Sequence, residues 1–336
     1  MPELRIDPLS GLRVIIAAER GDRPGAWLQT AGRTPVDPER DPFREGHEDQ
    51  TPPEIYALRP EGGVPDGPGW RVRVVPNKYP ALSPARGEPL TDPLSAGRGE
   101  PGLFAASPAA GDHEVIVNGP APVSSLLDLG ADGLAEAMVV WQHRMAAHLG
   151  ATYVHLIVNE GDSAGASIAH THAQLYALPF VPAVVARERE RSTAYHDRTQ
   201  GRDLQADLLQ EEVRRRERVV AVGPDAVALC PFASHVPFHV QLLPRAARPR
   251  FEDGGPTGAA TLHEVLERLA ATLGDVPPLN LWVRTAPPGA TSFSWRIDLL
   301  PRLAHPAGLE MGAGVQLCVL APEVAAERLR AATPPA

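Results

Sequence analysis

His170, His172 and Gln174 occupy alternate positions in the stretch Gly165-Ala166-Ser167-Ile168-Ala169-His170-Thr171-His172-Ala173-Gln174, and no other feature of the chain limits the local fold as tightly. Side chains alternate across a β-strand, so a strand continuing through Leu175-Tyr176-Ala177-Leu178 carries these three polar groups on one face. The preceding Gly165, Ala166 and Ser167 form a small-residue loop that lets a ligand come close to the backbone. Two imidazoles and an amide on one face suit either a metal ion or a nucleophilic histidine with an amide donor beside it. Two histidines can also simply pack on a half-buried strand; the loop directly before them argues against that.

The nucleophile fits the residues better than the metal. A neutral imidazole attacks phosphorus through one ring nitrogen while the other donates its proton to a fixed acceptor. The phospho-histidine so formed divides one difficult transfer into two easier ones. Gln174 is then placed to donate to the non-bridging phosphate oxygens, where charge changes during transfer.

His170-Thr171-His172-Ala173-Gln174 resembles the His-x-His-x-Gln signature of the galactose-1-phosphate uridylyltransferase branch of the histidine-triad superfamily. The resemblance extends along the chain. The stretch from Val14 to Pro24 looks like the family's first strand and arginine pair, and Val74-Val75-Pro76-Asn77-Lys78-Tyr79-Pro80-Ala81-Leu82 is similar to its nucleotide segment. Gly308-Leu309-Glu310-Met311 and Gln316 fall where the family has a sugar-binding stretch. The resemblance implies His172 as nucleophile, with Gln174 and Ser167 on the transferred phosphoryl group and His170 beside them. It implies Asn77, Asn159 and Gly165 near the nucleotide, Arg20 and Arg23 near phosphate, and Glu310 and Gln316 near a hexose across a homodimer interface.

The family commonly builds a zinc site from two cysteines, a later histidine and the first histidine of the motif. Here Asp41 and Arg44 stand at the cysteine positions and Pro122 at the third, so only His170 remains. One ligand cannot hold a structural zinc. Relatives with a second metal place histidines around Arg296 and Asp298, and these too are missing. No metal or other cofactor is expected. Asp41 is placed to accept a proton from His170 or from Arg44 as a polar tie in the metal's stead.

A length of 336 residues suits one large domain or two ordinary ones, and 43% hydrophobic with 22% charged residues is the balance of a water-soluble globular chain. A net charge of −9 argues against a general nucleic-acid binder. With only Cys230 and Cys318, neither a disulfide framework nor a four-cysteine zinc site is available. The first residues lack the apolar core of a signal peptide and no run reaches membrane-spanning length, so a cytoplasmic, membrane-free location is expected.

Strands are expected at 12–17, 71–75, 113–117 and 153–158, with irregular loops over 24–70 and 83–112. A helix is expected from an Asp132 N-cap, with Leu134, Met138, Trp141, Met145 and Leu149 toward the core. Residues 182–218 read as solvated helices. Strands at 219–222, 227–230, 238–243, 279–283 and 294–300, with a helix over 261–273, echo the first half without its own His-x-His-x-Gln. The expected fold is α+β: two tandem histidine-triad-like units, 1–181 and 219–336, each an antiparallel sheet with helices, joined by the connector 182–218.

The implied activity is transfer of a nucleoside monophosphate between a nucleoside diphosphate sugar and a sugar 1-phosphate by a ping-pong route through His172. The alternatives are a nucleoside-diphosphate-sugar phosphorylase that uses inorganic phosphate, and a non-catalytic nucleotide-binding protein. A hydrolase of the wider superfamily fits less well, because the last histidine of its triad is Gln174 here.

Overall fold

In chain order the computed structural model contains β1 (Glu3–Ile6), β2 (Arg13–Ile16), β3 (Tyr56–Leu58), β4 (Val72–Pro76), β5 (Asp112–Val117), α1 (Gly130–Ala147), β6 (Tyr153–Glu160) and β7 (His172–Leu178). Helices α2 (Ala183–Arg198) and α3 (Leu204–Arg215) lead to β8 (Val219–Val222), β9 (Ala226–Leu229), β10 (Val240–Pro244), α4 (Ala259–Leu273), β11 (Leu279–Arg284) and β12 (Arg296–Pro301). The chain ends with α5 (Gly308–Ala313), β13 (Gln316–Cys318) and α6 (Pro322–Ala331). Residues 1–23, 27, 33, 35–84, 90 and 103–332 are described. Of the loops expected over 24–70 and 83–112, residues 24–26, 28–32, 34, 85–89 and 91–102 lie outside the described residues, and the 24–70 stretch contains strand β3, which pairs with β4 where irregular loop was expected.

Ten strands form one antiparallel sheet in the order β3-β4-β5-β7-β6-β11-β12-β10-β9-β8. From each outer edge inward the pattern repeats: β3-β4-β5-β7-β6 on one side, β8-β9-β10-β12-β11 on the other. Each half also inserts a helix at the same point, α1 before β6 and α4 before β11. The halves meet where β6 pairs with β11, Asn159 opposite Asn280. A separate three-stranded sheet, β1-β2-β13, joins the two chain ends, with β13 parallel to β2.

The two faces of the large sheet differ in chemistry. Ala173, Leu175, Leu156, Val158, Leu281, Val283, Ile297 and Leu299 share one face and pack with α1, α4 and α6 in the main core. Leu134, Met138, Trp141 and Met145 supply the α1 stripe at the spacing the sequence predicts. Leu149 does not join it: the helix stops at Ala147 and Leu149 is exposed. Nor is Asp132 the N-cap. A 3-10 turn capped by Ser125 leads into α1 two residues earlier, and Asp132 sits in the first turn, facing the helix dipole.

The opposite face is polar. Register places Gln174 beside Ile157, Asn159 beside Asn280, and Asp298 between Gln241 and Trp282. In the second half α2 covers this face, so the connector is more than a solvated linker: Glu188 is 3% exposed and takes Arg296 at 2.9 and 3.1 Å. Arg296 also donates to Asp298 at 3.0 Å, and Gln241 and Trp282 donate to the same carboxylate at 2.8 and 3.0 Å. Burial alone raises the Asp298 carboxyl, but Arg296, His239 and Arg284 together outweigh it and hold the group well below the usual carboxylate range. Among the described residues no helix is long and apolar enough to cross a membrane.

Removing Arg296 leaves two buried carboxylates with Arg284, 3.6 Å from Glu188, as the nearest guanidinium and takes away the hydrogen bonds to both. Arg296→Met is expected to lower the unfolding free energy by about 3–5 kcal/mol, read from the midpoint of urea denaturation at constant slope.

Candidate active site

The His motif is held from three directions. Upstream, Gly161 has φ 81° and lies so close to Pro278 that a Cβ there would sit 2.8 Å from its ring, so only glycine fits. A 3-10 turn over Asp162–Ala164 follows, and Gly165 closes it at φ 86° with open space above. Asn280 donates to both Asn159 and the Ala164 carbonyl at 2.8 Å, fastening this loop to the seam between the halves.

Next, the strand starts at His172, not at His170. His172 and Gln174 therefore share a face and line one cavity, whereas His170 turns inward and is fully buried. Its Nδ1–H donates to Asp41 Oδ2 at 2.6 Å and its Nε2–H to the Gly119 carbonyl at 2.9 Å. Both partners are oxygen acceptors, so the ring makes both bonds only as an imidazolium, giving a buried, charge-assisted pair with Asp41. Of the two partners open to Asp41 it is His170 that takes it; Arg44 turns away to the Pro38 carbonyl and Glu39. Asp41 also accepts the Phe43 N–H at 2.9 Å, and Phe43 then packs edge-on against both His170 and His172, with centroids 6.2 and 5.1 Å away.

The donors here do not fit a zinc ion. Asp41 and His170 are satisfied by each other and by Gly119, Arg44 points elsewhere, and proline stands at 122. The second-metal position holds the Arg296 guanidinium among its carboxylates, which likewise leaves no place for a cation.

His172 is held in one tautomer beside the cavity. Its Nδ1–H donates to the His170 carbonyl at 2.8 Å, which fixes the tautomer and leaves the Nε2 lone pair on the cavity side. Burial lowers its pKa below the ordinary histidine value, with opposing contributions from the bond to His170 and from Asp41, so the ring is neutral near pH 7.

The cavity holds about 410 Å³ and is walled by the 42–52 loop, the 75–79 segment, His113 and Val115 of β5, Ser167, Ile168, His172 and Gln174. Buried Arg73 fastens the first wall, donating to Thr51, Glu54 and Asp66 at 2.7, 3.2 and 2.7 Å. Asn77 lines the cavity, and its Oδ1 accepts the Tyr79 N–H at 2.8 Å as in an Asx turn. Ser167 is exposed at the rim. Asn159, on β6 at the seam, and Gly165, at the end of the supporting loop, do not line the cavity. Exposed Arg20 and Arg23, and Gln316 on β13, sit on or beside the small sheet, while Glu310 in α5 caps the Ala307 N–H; none of the four lines the cavity.

Two residues of this site escape a reading of the sequence alone. His113 looks like the first residue of an apolar strand, and Phe43 like part of a loop. Only the pairing of β5 with β7, which sets Val115 opposite Gln174, brings His113 to the motif.

Behind the motif, Thr171 and the Leu126 N–H donate to Glu160 Oε1 at 2.9 and 2.6 Å, while Oε2 has no hydrogen-bond partner. Burial, only partly offset by these bonds, pushes the Glu160 carboxyl up to about 7. The folded chain thus keeps a proton that the unfolded chain loses, so this contribution to stability is full below about pH 4.5 and falls as pH rises through about 7. Glu160→Gln is expected to raise Tm at pH 8 and to leave it nearly unchanged at pH 5; an equal shift at both values contradicts the assignment.

Residues 1–182 match the galactose-1-phosphate uridyl transferase family over its N-terminal domain. The chain is 29% identical over 343 residues to an ADP-glucose phosphorylase of Arabidopsis thaliana, covering 98% of this chain and 92% of that protein. It is 27% identical over 350 residues to a probable galactose-1-phosphate uridylyltransferase of Drosophila melanogaster, covering 98% and 95%. The crystal structure of an Arabidopsis thaliana ADP-glucose phosphorylase with bound ADP-glucose superposes with a TM-score of 0.79 at 26% identity, over 99% of each chain.

Proposed function

The chain is a member of the galactose-1-phosphate uridylyltransferase family, an enzyme of the nucleotidyltransferase type, and we propose that it moves a nucleoside monophosphate from a nucleoside diphosphate sugar to a phosphate-bearing acceptor through a covalent nucleotidyl-histidine. The observation that carries this reading is His172 itself: a neutral ring, its Nδ1–H spent on the His170 carbonyl and its Nε2 on a cavity of about 410 Å³ beside Gln174. In the first half-reaction Nε2 attacks the α-phosphorus, the bond to the bridging oxygen breaks, and the sugar 1-phosphate leaves with that electron pair. In the second, an oxygen of the acceptor phosphate attacks the same phosphorus and Nε2 departs. Gln174 donates from its amide to the non-bridging oxygens, and Ser167 and Asn77 contact the phosphoryl and nucleotide portions. His170 takes no part in bond making; with Asp41 it holds His172 in place.

The acceptor is a sugar 1-phosphate or inorganic phosphate. The second is favoured by the likeness to the Arabidopsis ADP-glucose phosphorylase over nearly the whole chain. The first requires residues for a second sugar. Glu310, Gln316, Arg20 and Arg23 lie outside the cavity of the single chain, so they reach substrate in a homodimer, across from the partner's His172. The repeated strand order supports two tandem histidine-triad-like units, of which only the first kept the chemistry.

Intact mass after mixing with nucleoside diphosphate sugars tests the reading. A mass gain of one nucleoside monophosphate is expected, reversed by adding sugar 1-phosphate or phosphate, and it identifies both base and acceptor. His172→Asn is expected to abolish adduct and turnover with its fold intact, and adduct formation by the parent chain to lose rate only below the ordinary histidine pKa. An adduct that survives in His172→Asn rejects this nucleophile.

A further inference from the structure

We infer that His113 is a positioning residue that fixes which end of the Gln174 amide faces the reacting phosphorus. A carboxamide is nearly symmetrical in shape, so packing alone does not decide whether its oxygen or its NH2 points into a cavity. Only the NH2 helps a phosphoryl group; the oxygen would repel it. The structure decides the matter through a chain of hydrogen bonds whose polarity starts at a backbone group that cannot reverse.

The Ala81 N–H donates to His113 Nδ1 at 3.1 Å. A backbone N–H has no acceptor form, so Nδ1 carries the lone pair and the neutral ring carries its proton on Nε2. Nε2–H then donates to Gln174 Oε1 at 3.0 Å, and the Tyr176 hydroxyl donates to the same oxygen, also at 3.0 Å. With its oxygen held twice, the Gln174 amide presents NH2 to the cavity. His113 and Tyr176 are stacked at 4.1 Å and 26°, which keeps both donors aimed at one point. Burial lowers the His113 pKa, with the bond to Gln174 opposing, consistent with a neutral ring.

The same polarity means that one close contact is not a hydrogen bond. Asn77 Nδ2 lies 3.1 Å from His113 Nε2, and its orientation is set because Asn77 Oδ1 accepts the Tyr79 N–H. Two donors meet there, so the Asn77 NH2 is left for an acceptor that enters the cavity. Gln174 is thus oriented by His113 and Tyr176, and Asn77 by the Tyr79 N–H, each with its NH2 toward a ligand rich in acceptor oxygens.

For its kinetic arm alone the inference rests on the nucleotidyl-transfer reading. His113→Phe keeps a ring against Tyr176 but removes both hydrogen bonds. It is expected to slow single-turnover adduct formation by roughly 10- to 100-fold, with KM for the nucleotide sugar changed by less than about threefold. His113→Gln, whose amide reaches the Nε2 position, is expected to recover most of the rate. In a Gln174→Ala background His113→Phe should cost nothing further, whereas losses that multiply overturn a role through Gln174. An independent arm needs no substrate: nitrogen NMR of the parent protein is expected to show His113 as the neutral Nε2–H tautomer. An Nδ1–H tautomer overturns the inference whatever the enzyme acts on. Absence of any adduct in the parent overturns the proposed function instead, and the tautomer then decides this inference alone.

Discussion

The contact between Asp41 and His170 is the one on which the rest of the site depends. It joins residues 129 positions apart, at 2.6 Å, with neither side chain more than 4% exposed. One end is the loop that walls the cavity and carries Phe43; the other is the residue whose carbonyl orients His172. A buried pair of this kind is costly to form, because both groups leave water. It is costlier still to break, because the survivor is left charged in a dry interior. The asymmetry lets a buried pair fasten a loop to a strand: its net contribution to stability is modest, but the alternatives to it are poor. Arg73 and Glu54 apply the same device to the outer part of the loop.

The second half of the sheet shows what the polar face becomes when it carries no His-x-His-x-Gln motif. Arg296 and Asp298 lie on β12, which occupies in its half the place of β7 in the other. There α2 closes over them and supplies Glu188, turning the face into a sealed ionic cluster. In the first half no helix among the described residues covers Gln174 and His172, and the uncovered space is the cavity. One sheet therefore serves both purposes, and the difference lies in whether a helix caps the polar face.

Much of this was legible in the chain. The α1 stripe of Leu134, Met138, Trp141 and Met145 could be read because helical spacing is local. The alternation of Ala173, Leu175 and Ala177 against Gln174 and Tyr176 is local in the same way. What could not be read was set by contacts distant in sequence. Alternation alone put His170 on the face of His172 and Gln174; the bonds to Asp41 and Gly119 pull it inward, so the strand begins two residues later. His113 shows no pattern of its own and gains a role only because β5 lies beside β7. The repeat of elements was visible, but the fusion of the halves into one sheet through β6 and β11 was not.

The most direct test of this account is a double-mutant cycle between Asp41 and His170, using Asp41→Asn, His170→Asn and the pair. Stability is read by urea unfolding, and the state of His172 by the rate at which it takes up a nucleotide. Each single substitution should cost about 3–5 kcal/mol, and the pair should cost 1–3 kcal/mol less than the sum, with His172 slowed to a similar degree in all three. Costs that simply add, or a His172 that reacts at the parent rate without Asp41, would mean that His172 is held by something else.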